Sequence, residues 1–149
     1  MASIIGNYEI IKLLGKGSMG DVFQARDTKD NKIVAIKILS EELCNNSRAV
    51  ERFKREIRQT IQLNHPNLIT AYSAGEYRGR LYYAMEYVEG VSMKRELLKI
   101  STFEESRALE ILIQISNSLD YATGFGIIHR DIKPENIMLT VDGKAKLCD

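Results

Sequence analysis

The sequence predicts an α+β fold in which an antiparallel sheet comes first and helices follow. Three β-prone runs lead the chain, at 8–14, 21–25 and 33–39, separated only by a glycine-rich loop and a polar turn. With no helix between them, these runs suit an antiparallel meander and not a βαβ crossover. Helical patterns lie later, at 47–63 and 102–121. Two further strands, at 68–71 and 81–87 around a turn at 75–79, bring the expected sheet to five.

Composition sets outer limits. The chain has 149 residues, 44% hydrophobic and 28% charged, the make-up of a globular protein and not of a disordered one. Its 21 basic and 20 acidic residues leave a net charge of +1, so no global field draws in nucleic acid or an anionic membrane. Function must come from a local site. Cys44 and Cys148 lie far apart with no metal-ligand spacing. The opening Met1-Ala2-Ser3 has neither a basic nor an apolar leader region, and no apolar run reaches membrane-spanning length. A cytoplasmic protein with no membrane segment in this chain is expected.

The glycine-rich loop reads Gly15-Lys16-Gly17-Ser18-Met19-Gly20. Glycine at three of six positions implies close approach of the backbone to something. The pattern also opens dinucleotide-binding βαβ units, but there a helix follows, whereas here Val22 and Phe23 continue into a strand. A nicotinamide-dependent oxidoreductase is rejected on that ground. Lys37 stands inside the apolar third strand. By itself it reads as an edge lysine reaching out to water. The helix at 47–63 alters that reading, because Val50, Phe53, Ile57 and Ile61 form its apolar stripe and Glu56 borders the stripe. A carboxylate beside a core face requires a cation, and Lys37 is the candidate.

His65-Pro66-Asn67 closes that helix, and its histidine reads as structural. Thr102 and Glu105 offer a capping box for the helix at 102–121, whose Leu109, Ile111, Leu112, Ile113, Ile115 and Leu119 occupy more than one face. The segment at 127–149 holds the densest chemistry. Gly126-Ile127-Ile128 reads as a short buried run and Ile137-Met138-Leu139 as a buried strand, followed by an Asp142-Gly143 turn and a return strand over 144–148. Between the apolar runs sit His129, Arg130, Asp131, Lys133, Glu135 and Asn136, which form either a surface turn or a site. An Asp able to take a hydroxyl proton, a Lys two residues on able to steady a phosphate, and an Asn five residues on able to hold a divalent ion suit phosphoryl transfer.

The pattern His129-Arg130-Asp131-x-Lys133-x-x-Asn136 resembles the catalytic loop of eukaryotic-type (Hanks-type) serine/threonine protein kinases. Val34-Ala35-Ile36-Lys37 is similar to the strand carrying that family's phosphate-binding lysine, Glu56 to its partner on helix C, and Met85-Glu86-Tyr87-Val88-Glu89-Gly90 to the hinge. The run Ile132-Lys133-Pro134-Glu135-Asn136 looks like serine/threonine and not tyrosine kinases, and the phrasing is close to bacterial members. Thr60 and Ala71 depart from the aliphatic residues expected at the family's packing spine.

The resemblance implies a protein-kinase-like fold. Residues 1–88 would be the N-lobe, with a five-stranded antiparallel sheet, helix C and the hinge. Residues 89–149 would be a partial C-lobe with helices D and E, the catalytic loop and a β-hairpin ending at the Asp of Asp-Phe-Gly. ATP and Mg²⁺ (or Mn²⁺) are the implied cofactors. By the same resemblance Asp131 is the proton acceptor, Lys133 steadies the γ-phosphate, and Lys37, held by Glu56, grips the α- and β-phosphates. Asn136 and Asp149 are the implied metal ligands. The nucleotide-contacting set is Leu14, Gly15, Gly17, Gly20, Val22, Ala35, Lys37, Met85, Glu86, Val88 and Met138, with Met85 behind the adenine and backbone groups of Glu86 and Val88 along its edge. The implied activity is transfer of the ATP γ-phosphoryl group to Ser or Thr hydroxyls of protein substrates in signalling, with kinase–kinase self-association as a further partnership. The alternative is a truncated, catalytically inactive nucleotide-binding or interaction fragment, because the resemblance covers about the first half of such a domain. The 149 residues alone are accordingly expected to be neither stable nor active.

Overall fold

The computed structural model describes residues 3–148, and its chain divides into two units: residues up to 62 with 70–87, and 63–69 with 88 onward. In the first unit β1 (Ile4–Ile5), β2 (Tyr8–Lys16), β3 (Gly20–Asp27), β4 (Ile33–Leu39), β5 (Ala71–Tyr77) and β6 (Arg80–Glu86) form an antiparallel sheet in the order β1-β2-β3-β4-β6-β5. The helix α1 (Ser47–Ile61) packs against β5 and β6. The two-residue β1 extends the expected five strands to six.

β4 explains its own composition. Val34 to Leu39 are all buried, which is why the run is apolar at every position but Lys37 instead of alternating. Val34, Ile36 and Ile38 join Tyr82 and Ala84 of β6, with Ile5, Tyr8 and Ala25, in one core. On the opposite face Ala35 pairs with Met85 and Lys37 with Tyr83. This second face receives α1, whose Phe53 is wholly buried with its ring 5.8 Å from that of Tyr83. Asn46 starts α1 by accepting from the Ala49 backbone N–H.

The fifth strand departs from the reading at 68–71. It runs Ala71–Tyr77 with alternate residues exposed, and its turn to β6 is Arg78-Gly79, with φ of 50° and 76°. Two successive positive φ values suit a two-residue hairpin. The alternation is carried by Ala, Ser and Gly as much as by tyrosine, so hydrophobicity alone does not reveal it.

The second unit contains β7 (Gly90–Ser92), α2 (Met93–Ile100), α3 (Glu105–Thr123), β8 (Ile137–Thr140) and β9 (Ala145–Leu147), the three strands pairing antiparallel in the order β7-β8-β9. Leu68, Ile111, Ile115, Ile137, Leu139, Ala145 and Leu147 form its core. Two readings are corrected here. The Thr102 capping box does not form: α3 starts at Glu105 after Glu104, which makes no side-chain cap bond, and the Thr102 hydroxyl donates to the Phe103 carbonyl. Ser101, at φ 66°, turns the chain out of α2 and leaves 102–104 as connector. Nor is Gly126-Ile127-Ile128 a buried run, since Gly126 turns at φ 71° and Ile128 is 69% exposed.

The segment after α1 is stitched into this unit. Asn67 Nδ2 donates to Gln114 Oε1 of α3 and to the Ala145 carbonyl, both at 2.8 Å. The Leu147 N–H donates to the Asn67 carbonyl at 2.8 Å, and the Ala145 N–H to Gln114 Oε1 at 2.8 Å. Half-buried acceptors that lose their donor cost roughly 1–3 kcal/mol. Asn67→Ala is therefore expected to lower stability to urea by about 1–3 kcal/mol, while Asn64→Ala, at an exposed position, changes it by less than about 0.5 kcal/mol.

Candidate functional site

Lys37 is 7% exposed, and an ammonium so placed is costly without an opposite charge. Its Nζ lies 2.8 Å from Glu56 Oε1. The Tyr83 hydroxyl donates to the same oxygen at 2.8 Å, so β4, α1 and β6 converge on one carboxylate atom. Sequence reasoning did not single out Tyr83. Its signal is the register that sets it opposite Lys37, which depends on which strands are neighbours. Thr60, one turn beyond Glu56, donates its hydroxyl to the Glu56 carbonyl at 2.8 Å. The polar atom that is out of place in a packing spine is thereby satisfied within the helix.

The glycine loop joins β2 to β3, with Gly15 opposite Val22 and Val22 opposite Lys37, so Val22 and Lys37 share a face. The glycines answer to different demands. A Cβ on Gly20 would stand 2.0 Å from the Ile38 carbonyl oxygen, so the neighbouring strand itself requires glycine there. A Cβ on Gly17 would meet the Gly20 carbonyl at 3.2 Å, and one on Gly15 would meet nothing within 4 Å. Internal packing does not ask for glycine at 15, so the backbone there is open to an approaching group such as a polyphosphate. The residues present fit a nucleotide phosphate chain on this observation. Ala35 and Met85, opposite one another, are 5% and 7% exposed. Leu14 is exposed on β2; Glu86 ends β6, its N–H donating to the Thr70 carbonyl at 2.8 Å; Val88 is buried in the second unit.

In the second unit the polar loop is a hydrogen-bonded cluster around Asp131. Lys133 Nζ lies 2.8 Å from Asp131 Oδ2, and Asn136 Nδ2 donates to the Asp131 carbonyl at 2.8 Å and to Oδ2 at 3.0 Å. The Asp131 N–H points to His129 Nδ1 at 3.3 Å, which makes that ring nitrogen an acceptor. Arg130 sits between them at φ 66°, a left-handed conformation that a non-glycine residue adopts at a cost. Pro134–Asn136 form one tight helical turn, and the Cys148 N–H donates to the Asn136 carbonyl at 2.7 Å. Lys94 of α2 reaches Glu135 at 3.8 Å. Met138 is half-buried on β8, opposite Ser92 and Lys146.

With its amide nitrogen engaged, Asn136 carries its side-chain carbonyl oxygen on the other arm of the fork, a hard donor of the kind divalent Mg²⁺ takes. Asp149 lies outside the described residues. Among the described residues there is no group of three His, Cys, Asp or Glu side chains that could hold a metal. No helix among them is long and apolar enough to cross a membrane.

Residues 8–149 match the protein kinase domain family. The serine/threonine-protein kinase PrkC of Bacillus subtilis is 37% identical over 146 residues, covering 98% of this chain and 22% of that protein. The serine/threonine-protein kinase PknD of Mycobacterium tuberculosis is 34% identical over 149 residues, covering the whole chain and 22% of that protein. Among solved structures, the PknI kinase domain of Mycobacterium tuberculosis superposes with a TM-score of 0.87 at 28% identity, covering 99% of this chain and 60% of that one. The chain belongs to the protein kinase family, with bacterial serine/threonine kinases among its relatives, and spans under a quarter of the length of PrkC and PknD. The family in general uses ATP and a divalent metal.

The Lys133 hydrogen bond, then that of Asn136, holds the Asp131 carboxyl below the ordinary aspartate range despite some desolvation. A carboxylate depressed on folding stabilises the fold above its unfolded pKa, and that contribution is lost as pH falls through the folded value. Asp131 should thus stay ionised to a lower pH than an ordinary aspartate. In Lys133→Met its midpoint, followed by carbon NMR of the carboxyl, should move up toward the ordinary range; an unmoved midpoint would remove Lys133 as the cause.

Proposed function

We propose that this chain forms the nucleotide-holding and proton-accepting parts of a serine/threonine protein kinase that transfers the γ-phosphoryl group of ATP to protein hydroxyls. The observation that carries this reading is the Asp131 cluster, a carboxylate held by a lysine two residues on and an asparagine five residues on. Residues 1–88 act as the first lobe and hinge, and 89–149 as part of the second. Leu14, Val22, Ala35 and Met138 contact the base, Met85 limits its depth, and backbone groups of Glu86 and Val88 bond its edge. The backbone of Gly15, Gly17 and Gly20 runs along the phosphates, and Lys37, oriented by Glu56, binds the α- and β-phosphates.

Asp131 accepts the proton of the substrate Ser or Thr hydroxyl. The oxygen of that substrate hydroxyl bonds to the γ-phosphorus as the bond to the β–γ bridging oxygen breaks and ADP leaves. A carboxylate of depressed pKa is a weak base, which suits a loose transition state in which orientation of the hydroxyl matters more than early proton removal. Lys133 places positive charge beside the transferring group. A divalent ion, Mg²⁺ or Mn²⁺, held through Asn136 and Asp149, neutralises phosphate charge when bound. The rest of the catalytic power is positioning. We assign the activity to the cytoplasm and the substrates to proteins bearing exposed Ser or Thr.

The test uses the full-length protein with radiolabelled ATP and a basic acceptor protein. Asp131→Asn should lower phosphoryl transfer by about 10²–10⁴-fold, the usual contribution of a positioned general base, with ATP affinity by calorimetry nearly unchanged. Turnover within about threefold of wild type would overturn the assignment.

A further inference from the structure

We propose that Tyr83 is a positioning residue of this kinase, its hydroxyl holding Glu56 so that α1 presents the carboxylate to Lys37. The proposal rests on the functional reading above, because it concerns how the phosphate-binding lysine is set.

Three observations converge on Tyr83. It is 2% exposed, its hydroxyl lies 2.8 Å from Glu56 Oε1, and it sits opposite Lys37 in the β4–β6 register. Its ring also meets Phe53, at 5.8 Å and an interplanar angle of 59°. Phe53 and Glu56 are three residues apart, so they lie on one face of α1, one turn from each other. Tyr83 therefore grips α1 at two points, one apolar and one polar. A ring with two side-chain torsions loses little entropy when fixed, whereas the Glu56 side chain has three and is 23% exposed.

The hydroxyl decides between alternatives for Glu56. A glutamate on a helix at the edge of a sheet can turn to water, and its ion pair with a lysine then dissolves. A buried hydroxyl that donates to the lysine-bound oxygen favours the inward rotamer, because turning outward gives up that charge-assisted hydrogen bond. It also fixes which oxygen faces Lys37 Nζ. Tyr83 touches the carboxylate and not the substrate in this scheme, and its effect on catalysis passes through Glu56.

The test compares wild type, Tyr83→Phe, Glu56→Gln and the double variant in the full-length protein. Proton NMR of the buried tyrosine hydroxyl should give a downfield, slowly exchanging signal that Tyr83→Phe removes and Glu56→Gln displaces. Tyr83→Phe should lower kcat/KM for ATP about tenfold, the usual loss for one hydrogen bond to a charged group. It should have little further effect in the Glu56→Gln background, where a hydroxyl acting independently of the carboxylate would add its full cost again. A hydroxyl signal indifferent to Glu56→Gln, or a Tyr83→Phe loss that persists undiminished in Glu56→Gln, would overturn the proposal. Should wild type transfer no phosphate at all, the kinase reading falls, and the hydroxyl signal alone then decides whether Tyr83 holds Glu56.

Discussion

A buried ammonium must have an anion, and much of the first unit is arranged to meet that demand. β4 is covered on both faces, so the one charged side chain in it cannot escape to water as an edge lysine would. The anion comes from outside the sheet, on a helix, and the helix must then be held at a fixed depth and rotation. Phe53 sets the depth by filling the face beside Tyr83, and Glu56, one turn on, follows in rotation. Pairs of this kind seldom add much net stability, because desolvation offsets attraction. Here the pair fixes a geometry, with Glu56 of α1 set 2.8 Å from Lys37 Nζ of β4.

The second unit solves a different problem with similar means. Its polar loop must hold several charged groups in a small space without collapsing on them. Part of the answer is mutual satisfaction: Lys133, Asn136 and Asp131 bind one another, and the loop is closed by the Asn136–Cys148 backbone bond at the edge of the β8–β9 hairpin. The other part is a stiff base. Ile137, Leu139, Ala145 and Leu147 lie in the core with α3, and Asn67 fastens the chain that leaves α1 to the same hairpin.

Much of this was legible in the sequence because it is local. The bounds of β4, the turn at Gly143, the inward side of α1 at Phe53 and the spacing from Asp131 to Asn136 depend on neighbours a few residues apart, whereas Ile61, at the end of the expected stripe, is exposed. The contact between Lys37 and Glu56 could be argued because each residue looked wrong where it stood, a cation in an apolar strand and an anion beside an apolar stripe. Tyr83 gave no such warning: a tyrosine in a β-rich run is ordinary, and only the β4–β6 pairing reveals what its hydroxyl faces. β5 was displaced because small residues carry its alternation, and the Thr102 box failed because a good capping pair cannot overrule the turn already made at Ser101. Asn67 looked like a helix terminator and proved to be a fastener between segments distant in sequence.

The different surroundings of Gly15 and Gly20 bear on how a short motif should be used as a sign of activity. A pattern of three glycines is usually taken as a single signature, present or absent. Here its first position is unconstrained by the protein's own atoms and its last is dictated by the carbonyl of Ile38. A descendant that lost its ligand would still be compelled to keep the last glycine by the sheet alone, while drift could fill the first. Gly20 is thus accounted for by the sheet alone, whereas the protein's own packing gives no reason for Gly15.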